Sequence, residues 1–228
     1  MKKISCIIPA YNEEKGIAQV LNTVLPLVGT QLHEVIVVDD ASRDATRSIV
    51  RTFPNARLLS HEKNKGKSAS VAEGISAATG EYIFLLDADL RHLTQKNIID
   101  LITPVENGVS PIALSYRKNA WPLFPFTKID YLTGERILPT HALTSSLTAM
   151  AALPSYGLEV FLNRIIIREH LAISVVHWPN VENDFNHTKH GWWRGVRTIA
   201  RIWWNVASTA SLTELYIQNI RMQKLLVS

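Results

Sequence analysis

Three short apolar runs of this sequence each end in carboxylates. Pro9-Ala10-Tyr11-Asn12-Glu13-Glu14 follows the first, Asp39-Asp40-Ala41-Ser42 closes the second, and Asp87-Ala88-Asp89 follows the run that begins at Tyr82. Packing alone would not select this pattern, because clustered carboxylates repel unless a cation or hydrogen-bond donors lie between them. A hard divalent cation, Mg²⁺ or Mn²⁺, takes oxygen ligands and commonly uses one or two carboxylates together with substrate phosphates. Asp87 and Asp89 lie two apart, so on a continuing strand they share a face, and the small Ala88 leaves room for a ligand to approach the backbone. A basic loop, His61 to Ser68, precedes a helix, where backbone N–H groups and the helix dipole attract anions. Gly66-Lys67-Ser68 is not a P-loop, since His61 stands where that motif needs glycine, and no G-x-G-x-x-G follows the first apolar run.

Regular elements have to bring these groups together. β-branched runs predict strands over 4–8, 34–39, 56–60 and 82–87. Between and after them the pattern predicts helices over 12–28, 42–53, 66–78 and 94–106, the first two capped by Asn12 and Ser42. Continuous apolar strands alternating with helices imply a mostly parallel sheet covered on both faces, with ligands at the carboxyl ends of the strands. The second half is less regular. A Pro- and aromatic-rich loop spans 121–126, a helix is expected over 158–170 and a strand over 172–178.

With 228 residues, 46% hydrophobic and 19% charged, the chain is long and apolar enough for one large α/β domain and is not disordered. The net charge of +4 gives no expectation of nucleic-acid binding. The single cysteine, Cys6, cannot form an internal disulfide and is expected to be a small buried hydrophobe in a reducing compartment. Neither a signal peptide nor an apolar run of membrane-spanning length is expected, so the chain reads as cytoplasmic.

Four segments in order, Ile7 to Glu14, Val37 to Ser42, Asn64 to Lys67 and Leu86 to Asp89, resemble family-two glycosyltransferases, and the likeness covers residues 4 to 92. The resemblance implies a GT-A fold, an α/β Rossmann-like sheet with helices on both faces. It implies a metal-dependent transfer of a sugar from a UDP- or GDP-linked donor. It implies that Pro9, Ala10, Tyr11, Glu13 and Asp40 surround the base and ribose, and that Lys67 and Ala88 also line the donor site. Asp87 and Asp89 would hold the metal as a DxD motif, with Asp89 the nearer. Thr133-Gly134-Glu135-Arg136 and Tyr156-Gly157-Leu158-Glu159 resemble acceptor-side segments of glucosyl-3-phosphoglycerate synthases and polyprenol-phosphate sugar transferases. On that likeness Glu159 would act as base or orient a hydroxyl, and Arg136 or Arg117 would hold an acceptor phosphate. His187, with His190 in reserve, would complete the metal site. Arg91 departs from the glutamine that polyprenol-phosphate transferases often carry there.

Blander readings exist for several of these residues. Asp39 and Asp40 suit a turn and helix cap, Glu159 an ion pair with Arg164 or Arg168, Arg136 a solvated charge, and His187 a surface histidine. His61 reads as structural or solvated. A nucleotidyltransferase would carry a Gly-rich basic motif at the first strand end, and an inactive nucleotide-sugar binding module would be free to lose Asp87 and Asp89. The expected organisation is a catalytic domain over 1–190, with a donor half 1–92 and an acceptor half 93–190, and a basic helical tail over 191–228. Four of the six tryptophans and Arg194, Arg197 and Arg201 lie in that tail, which suits the surface of a membrane, at its inner face, bearing a lipid-linked acceptor. The same aromatics suit packing on the domain or a homodimer contact.

Overall fold

The computed structural model describes residues 1–117, 129–130, 132–154, 157–183 and 210–227. Its strands are β1 Ile4–Ala10, β2 Glu34–Asp39, β3 Ala56–Ser60, β4 Tyr82–Leu85, β5 Leu90–Arg91, β6 Ile112–Arg117, β7 Arg136–Pro139, β8 Ile173–Trp178 and β9 Glu182–Asn183. Its helices are α1 Ile17–Val24, α2 Thr46–Arg51, α3 Lys67–Ala77, α4 Gln95–Glu106, α5 Thr140–Thr144, α6 Leu147–Ala151, α7 Leu158–Arg168 and α8 Leu212–Gln223. Seven strands form one sheet in the order β3-β2-β1-β4-β7-β6-β8, and β5 pairs with β9 beside it. All pairs in the large sheet are parallel except those of β7 with β4 and β6.

Alternation along the strands explains the three layers. Cys6 and Ile8 join α1, α2 and α4 on one face, through Leu21, Val50 and Ile98. Ile7, Ile36 and Val38 join α3, α5, α6, α7 and α8 on the other. Each fully buried Ile, Leu or Val contributes about 1.5–3 kcal/mol of transfer free energy, so the two faces together carry the fold. Cys6 is buried, and burial pushes its thiol pKa up, which keeps it unreactive.

The strand order reverses at β1, which lies between β2 and β4. β1 pairs with β2 as far as Ala10 and Asp39, whereas its pairing with β4 stops at Ile7 and Leu85. The chain therefore leaves β4 early, and the carboxyl ends of β1 and β4 form the kind of switch point at which such sheets bind ligands. The strand expected over 82–87 stops short for this reason.

Several expected boundaries need correction. Asn12 does not cap a helix: it sits at φ 55 and its side chain accepts from the Arg43 N–H at 2.9 Å, so α1 starts only at Ile17. Ser42 likewise accepts from the Asn12 N–H at 3.0 Å, and α2 starts at Thr46. The ends of β1 and β2 are thus tied to each other before either helix begins. Strands β6 and β7, which the irregular second half concealed, fill the sheet between β4 and β8.

The expectation of a tail over 191–228 is corrected at its end. α8 buries Leu215 and Met222 in the core, Arg164 donates to Glu214 at 2.7 Å, and the Ile173 N–H donates to the Leu225 carbonyl at 2.8 Å. Residues 210–227 belong to the domain. The rest of the expected tail, the loop over 121–126, Tyr156, His187 and His190 lie outside the described residues. No helix among the described residues is long and apolar enough to cross a membrane.

Candidate active site

Asp87 and Asp89 stand where the chain leaves β4. The Lys67 ammonium, from the first residue of α3, lies 2.8 Å from Asp87 Oδ1 and 3.2 Å from Glu159 Oε1, from the first turn of α7. Burial alone would lower the Lys67 pKa, but Asp87 and Glu159 more than offset it and the pKa is raised. Lys67 therefore stays charged and joins the Asp-Ala-Asp segment to α7, its partner Glu159 lying 92 residues further along the sequence. This excludes the surface pairing of Glu159: Arg164 is taken by Glu214, and Arg168 by Glu169 at 2.9 Å.

Asp89 is different. It is half-buried, and no described residue donates a hydrogen bond to it. Burial, then the nearby carboxylates Asp87, Glu13 and Glu135, push its pKa up to about 7, against the pull of Lys67. One face thus gathers an excess of negative charge beside an unfilled carboxylate. That donor set fits a hard divalent cation, with Asp89 and Asp87 as its protein ligands. Among the described residues no group of three His, Cys, Asp or Glu is placed to hold a metal, so the third ligand would come from a phosphate, water or a residue outside them.

Two glycines make room for this segment. A Cβ on Gly16 would lie 2.7 Å from the Ala88 carbonyl oxygen and 3.1 Å from Asp89 Cα, so the start of α1 presses on the Asp-Ala-Asp backbone. A Cβ on Gly134 would lie 2.6 Å from Asp87 Oδ2. Gly134→Ala is therefore expected to push Asp87 out of place while the fold survives. A displacement of this kind costs on the order of a hundredfold in kcat. Unchanged kcat at an unchanged melting temperature would show that Asp87 needs no such fit.

Behind Asp87 lies a buried charge cluster that the sequence does not advertise. Glu135 accepts from Ser115 Oγ at 3.0 Å and Thr133 Oγ1 at 2.9 Å, and Arg117 Nε lies 3.2 Å from its Oε2. Burial raises the Glu135 pKa, with Arg117 opposing and Asp87 reinforcing. Asp130 is pushed up to about 6 by its burial, against Arg117. Burial works against the Arg117 charge, but Glu135 and Asp87 outweigh it and its pKa is raised. Nε and Nη1 of the buried Arg117 have no hydrogen-bond partner. Glu135 sits inside the quoted Thr133 to Arg136 motif, which was its only signal; Asp130 had none.

The other expected residues are placed as follows. Pro9 and Ala10 end β1, and Tyr11 is exposed beyond them. Glu13 is half-buried, and its N–H donates to Thr46 Oγ1 at 2.7 Å. Arg136 is fully buried, which excludes the solvated reading. Its guanidinium donates to the Thr133 carbonyl and, at 3.0 Å, to Asn163 Oδ1. Asp39 takes the turn role: its carboxylate accepts from the Ser42 N–H at 3.3 Å and pairs with Arg47 at 2.7 Å. Asp40 is buried, and its two oxygens accept from the backbone N–H groups of Lys65 at 2.7 Å and Gly66 at 2.8 Å. Asp40 thus holds the loop before α3.

With this geometry in place, the comparisons with known proteins are unambiguous about family. The description of glycosyl transferase family 2 matches residues 5–142, and the chain belongs to that family. It is 33% identical over 149 residues to the dolichol-phosphate mannosyltransferase of Pyrococcus furiosus, a stretch covering 60% of this chain and 42% of the relative. It is 32% identical over 101 residues to the human dolichyl-phosphate beta-glucosyltransferase, covering 39% of this chain and 31% of that one. The chain thus spans less than half the length of either relative. Glucosyl-3-phosphoglycerate synthase from Mycobacterium tuberculosis, solved with Mn²⁺, UDP and its product, superposes at a TM-score of 0.73 with 22% identity, covering 91% of this chain and 80% of that one. That likeness establishes the fold: a GT-A sheet.

Proposed function

We propose that the protein transfers a sugar from a nucleoside-diphosphate sugar, UDP- or GDP-linked, to a phosphate-bearing acceptor, with Mg²⁺ or Mn²⁺ at Asp89 and Asp87. The observation that carries this reading is the unfilled Asp89 carboxylate, crowded by Asp87, Glu13 and Glu135 at the switch point between β1 and β4. The bound cation would neutralise charge on the departing diphosphate. The half over 1–92 would bind the donor: the ends of β1 and β2 would flank the base, and the loop before α3, tied to Asp40 through its Lys65 and Gly66 N–H groups, would lead Lys67 to the site. Lys67 would hold Asp87 in register and add positive charge beside the leaving group.

The acceptor would enter from the half over 93–190. Of the two arginines first considered, Arg136 is committed to Thr133 and Asn163, whereas Arg117, whose Nε pairs with Glu135, keeps an unfilled N–H at Nη1. Arg117 is therefore the better anchor for an acceptor phosphate, which a guanidinium binds as a fork. The named relatives from Pyrococcus and human act on dolichol phosphates and the mycobacterial synthase makes glucosyl-3-phosphoglycerate, which supports a phosphorylated acceptor of either kind. Incubation with UDP- and GDP-sugars and candidate acceptor phosphates, with Mn²⁺ or with EDTA, tests the reaction. Metal-dependent product with one donor is expected, and none with any donor would refute it.

An acceptor phosphate is already ionised and needs no base. Glu159, bonded to Lys67, then serves to position, and Glu159→Gln is expected to lower kcat by less than about tenfold. General-base removal would instead cost about a hundred- to ten-thousand-fold. A loss in that larger range, with donor KM unchanged, would point to a hydroxyl acceptor.

The Trp- and Arg-rich stretch before α8 would hold the enzyme at the inner face of a membrane, giving a lipid-linked acceptor access to the site. Changing Arg194, Arg197 and Arg201 to Glu is expected to abolish sedimentation with anionic vesicles. Equal sedimentation of both proteins, or of neither, would remove the membrane from the account.

A further inference from the structure

His61 follows β3 and is buried, with a relative exposure of 3%. Its Nδ1 lies 2.7 Å from Asp40 Oδ1 and its Nε2 lies 2.7 Å from Glu73 Oε2. A neutral imidazole has one donor and one acceptor nitrogen, so it cannot bond two ionised carboxylates; an imidazolium can. Both carboxylates have further donors or cations beside them. Asp40 also accepts from two backbone N–H groups, and Glu73 is half-exposed with the Lys65 ammonium 3.5 Å away. Arg47 of α2 also lies close, donating to the His61 carbonyl at 3.1 Å while paired with Asp39.

Asp40 also fixes the loop that leads to Lys67. The N–H groups of Lys65 and Gly66 donate to its carboxylate, and Asn64 Nδ2 donates to its carbonyl at 3.2 Å. Gly66 adopts φ +91, a conformation that side chains disfavour, so the loop needs such external ties to hold its shape. Lys67 begins α3 immediately afterwards. Glu73 lies on α3 itself, so the ring spans from the end of β2 to the body of the helix.

We propose that His61 is a positioning residue for the donor: as a buried imidazolium it ties Asp40 to Glu73 and so sets the loop over 64–66 and the start of α3. The inference rests on the nucleotide reading above. Its consequence is a sign. A neutral ring would turn one of the two bonds into a repulsion between lone pairs, loosen the loop and lower donor affinity.

Glu73→Gln separates this from a merely structural role. A glutamine amide can donate to Nε2 of a neutral ring, so that variant satisfies the ring without its charge. Two readouts test the proposal. Imidazole ¹⁵N shifts, with the His61 signals assigned by their loss in His61→Ala, report the ring directly, and both nitrogens are expected to carry protons at pH 7. Binding of UDP or GDP with Mn²⁺ is then measured across pH. Wild-type affinity is expected to fall as the ring titrates. His61→Ala is expected to bind at least about tenfold more weakly with no such fall, the worth of one hydrogen bond to a charged group. Glu73→Gln is expected to keep near-wild-type affinity and lose the fall, and it stands as the test should His61→Ala fail to fold. A neutral ring at pH 7, wild-type affinity in His61→Ala, or an unchanged pH fall in Glu73→Gln would overturn the proposal. An imidazolium in a protein that binds no nucleotide would instead bring down the nucleotide reading, and this inference with it.

Discussion

Asp89→Ala is expected to abolish sugar transfer while leaving the fold intact. Asp89 makes no hydrogen bond to any described residue, and its carboxyl is pushed up to about 7 by burial and by Asp87, Glu13 and Glu135. Removing it relieves repulsion, so the melting temperature without metal should hold or rise. A transition-state charge left without its cation costs several kcal/mol, or roughly a thousandfold or more in rate. The same shift gives a pH dependence for the unaltered protein. Its folded-state pKa lies above the ordinary value, so below about pH 7 the proton competes with the metal. Mn²⁺ affinity should fall toward acid pH and level off above neutrality. Wild-type turnover of Asp89→Ala at limiting Mn²⁺ would refute the metal assignment.

Arg117 should have the second-largest effect, and on the other substrate. Arg117→Lys keeps a positive charge beside Glu135 and Asp87 but loses the fork. Acceptor KM should rise by about ten- to a hundredfold, the worth of one hydrogen bond to a charged group, with donor KM within about threefold of wild type. Arg117→Met would be harsher. It leaves Glu135 buried near Asp87 with no cation between them, and breaking such a pair from one side costs about 3–5 kcal/mol of stability. Unchanged acceptor KM in Arg117→Lys would show that its open N–H groups face something other than substrate.

The first half was legible in the sequence because its strand pattern is strong and regular. Parallel strands buried on both faces read as unbroken apolar runs, and the residues just past them, Glu13, Asp40 and Asp87 to Asp89, are those the topology brings together. The second half was not legible, because its sheet strands carry buried charges. Arg117 ends β6 and Arg136 begins β7, and nothing local marks either as buried until Glu135, Asn163 and Thr133 are placed around them. The pairing of Lys67 with Glu159 joins positions too far apart for any local pattern to reveal. The two bonds of His61 were hidden for the same reason: its partners Asp40 and Glu73 come from two other elements. The last helix was expected, but its packing on the domain was not, because it exposes Tyr216, Ile217 and Ile220 while burying Gln218 and Asn219.

Thermal unfolding with nucleotide diphosphates tests the central claim most directly. A ligand that binds only the native state stabilises it by about 2.7 kcal/mol at a hundred times its dissociation constant. UDP or GDP together with Mn²⁺ should raise the melting temperature by several degrees. The rise should vanish with EDTA and in Asp89→Ala. A melting temperature that no nucleotide diphosphate moves in the presence of Mn²⁺ or Mg²⁺, or one that moves equally with EDTA, would contradict a metal-dependent nucleotide site at the ends of β1 and β4.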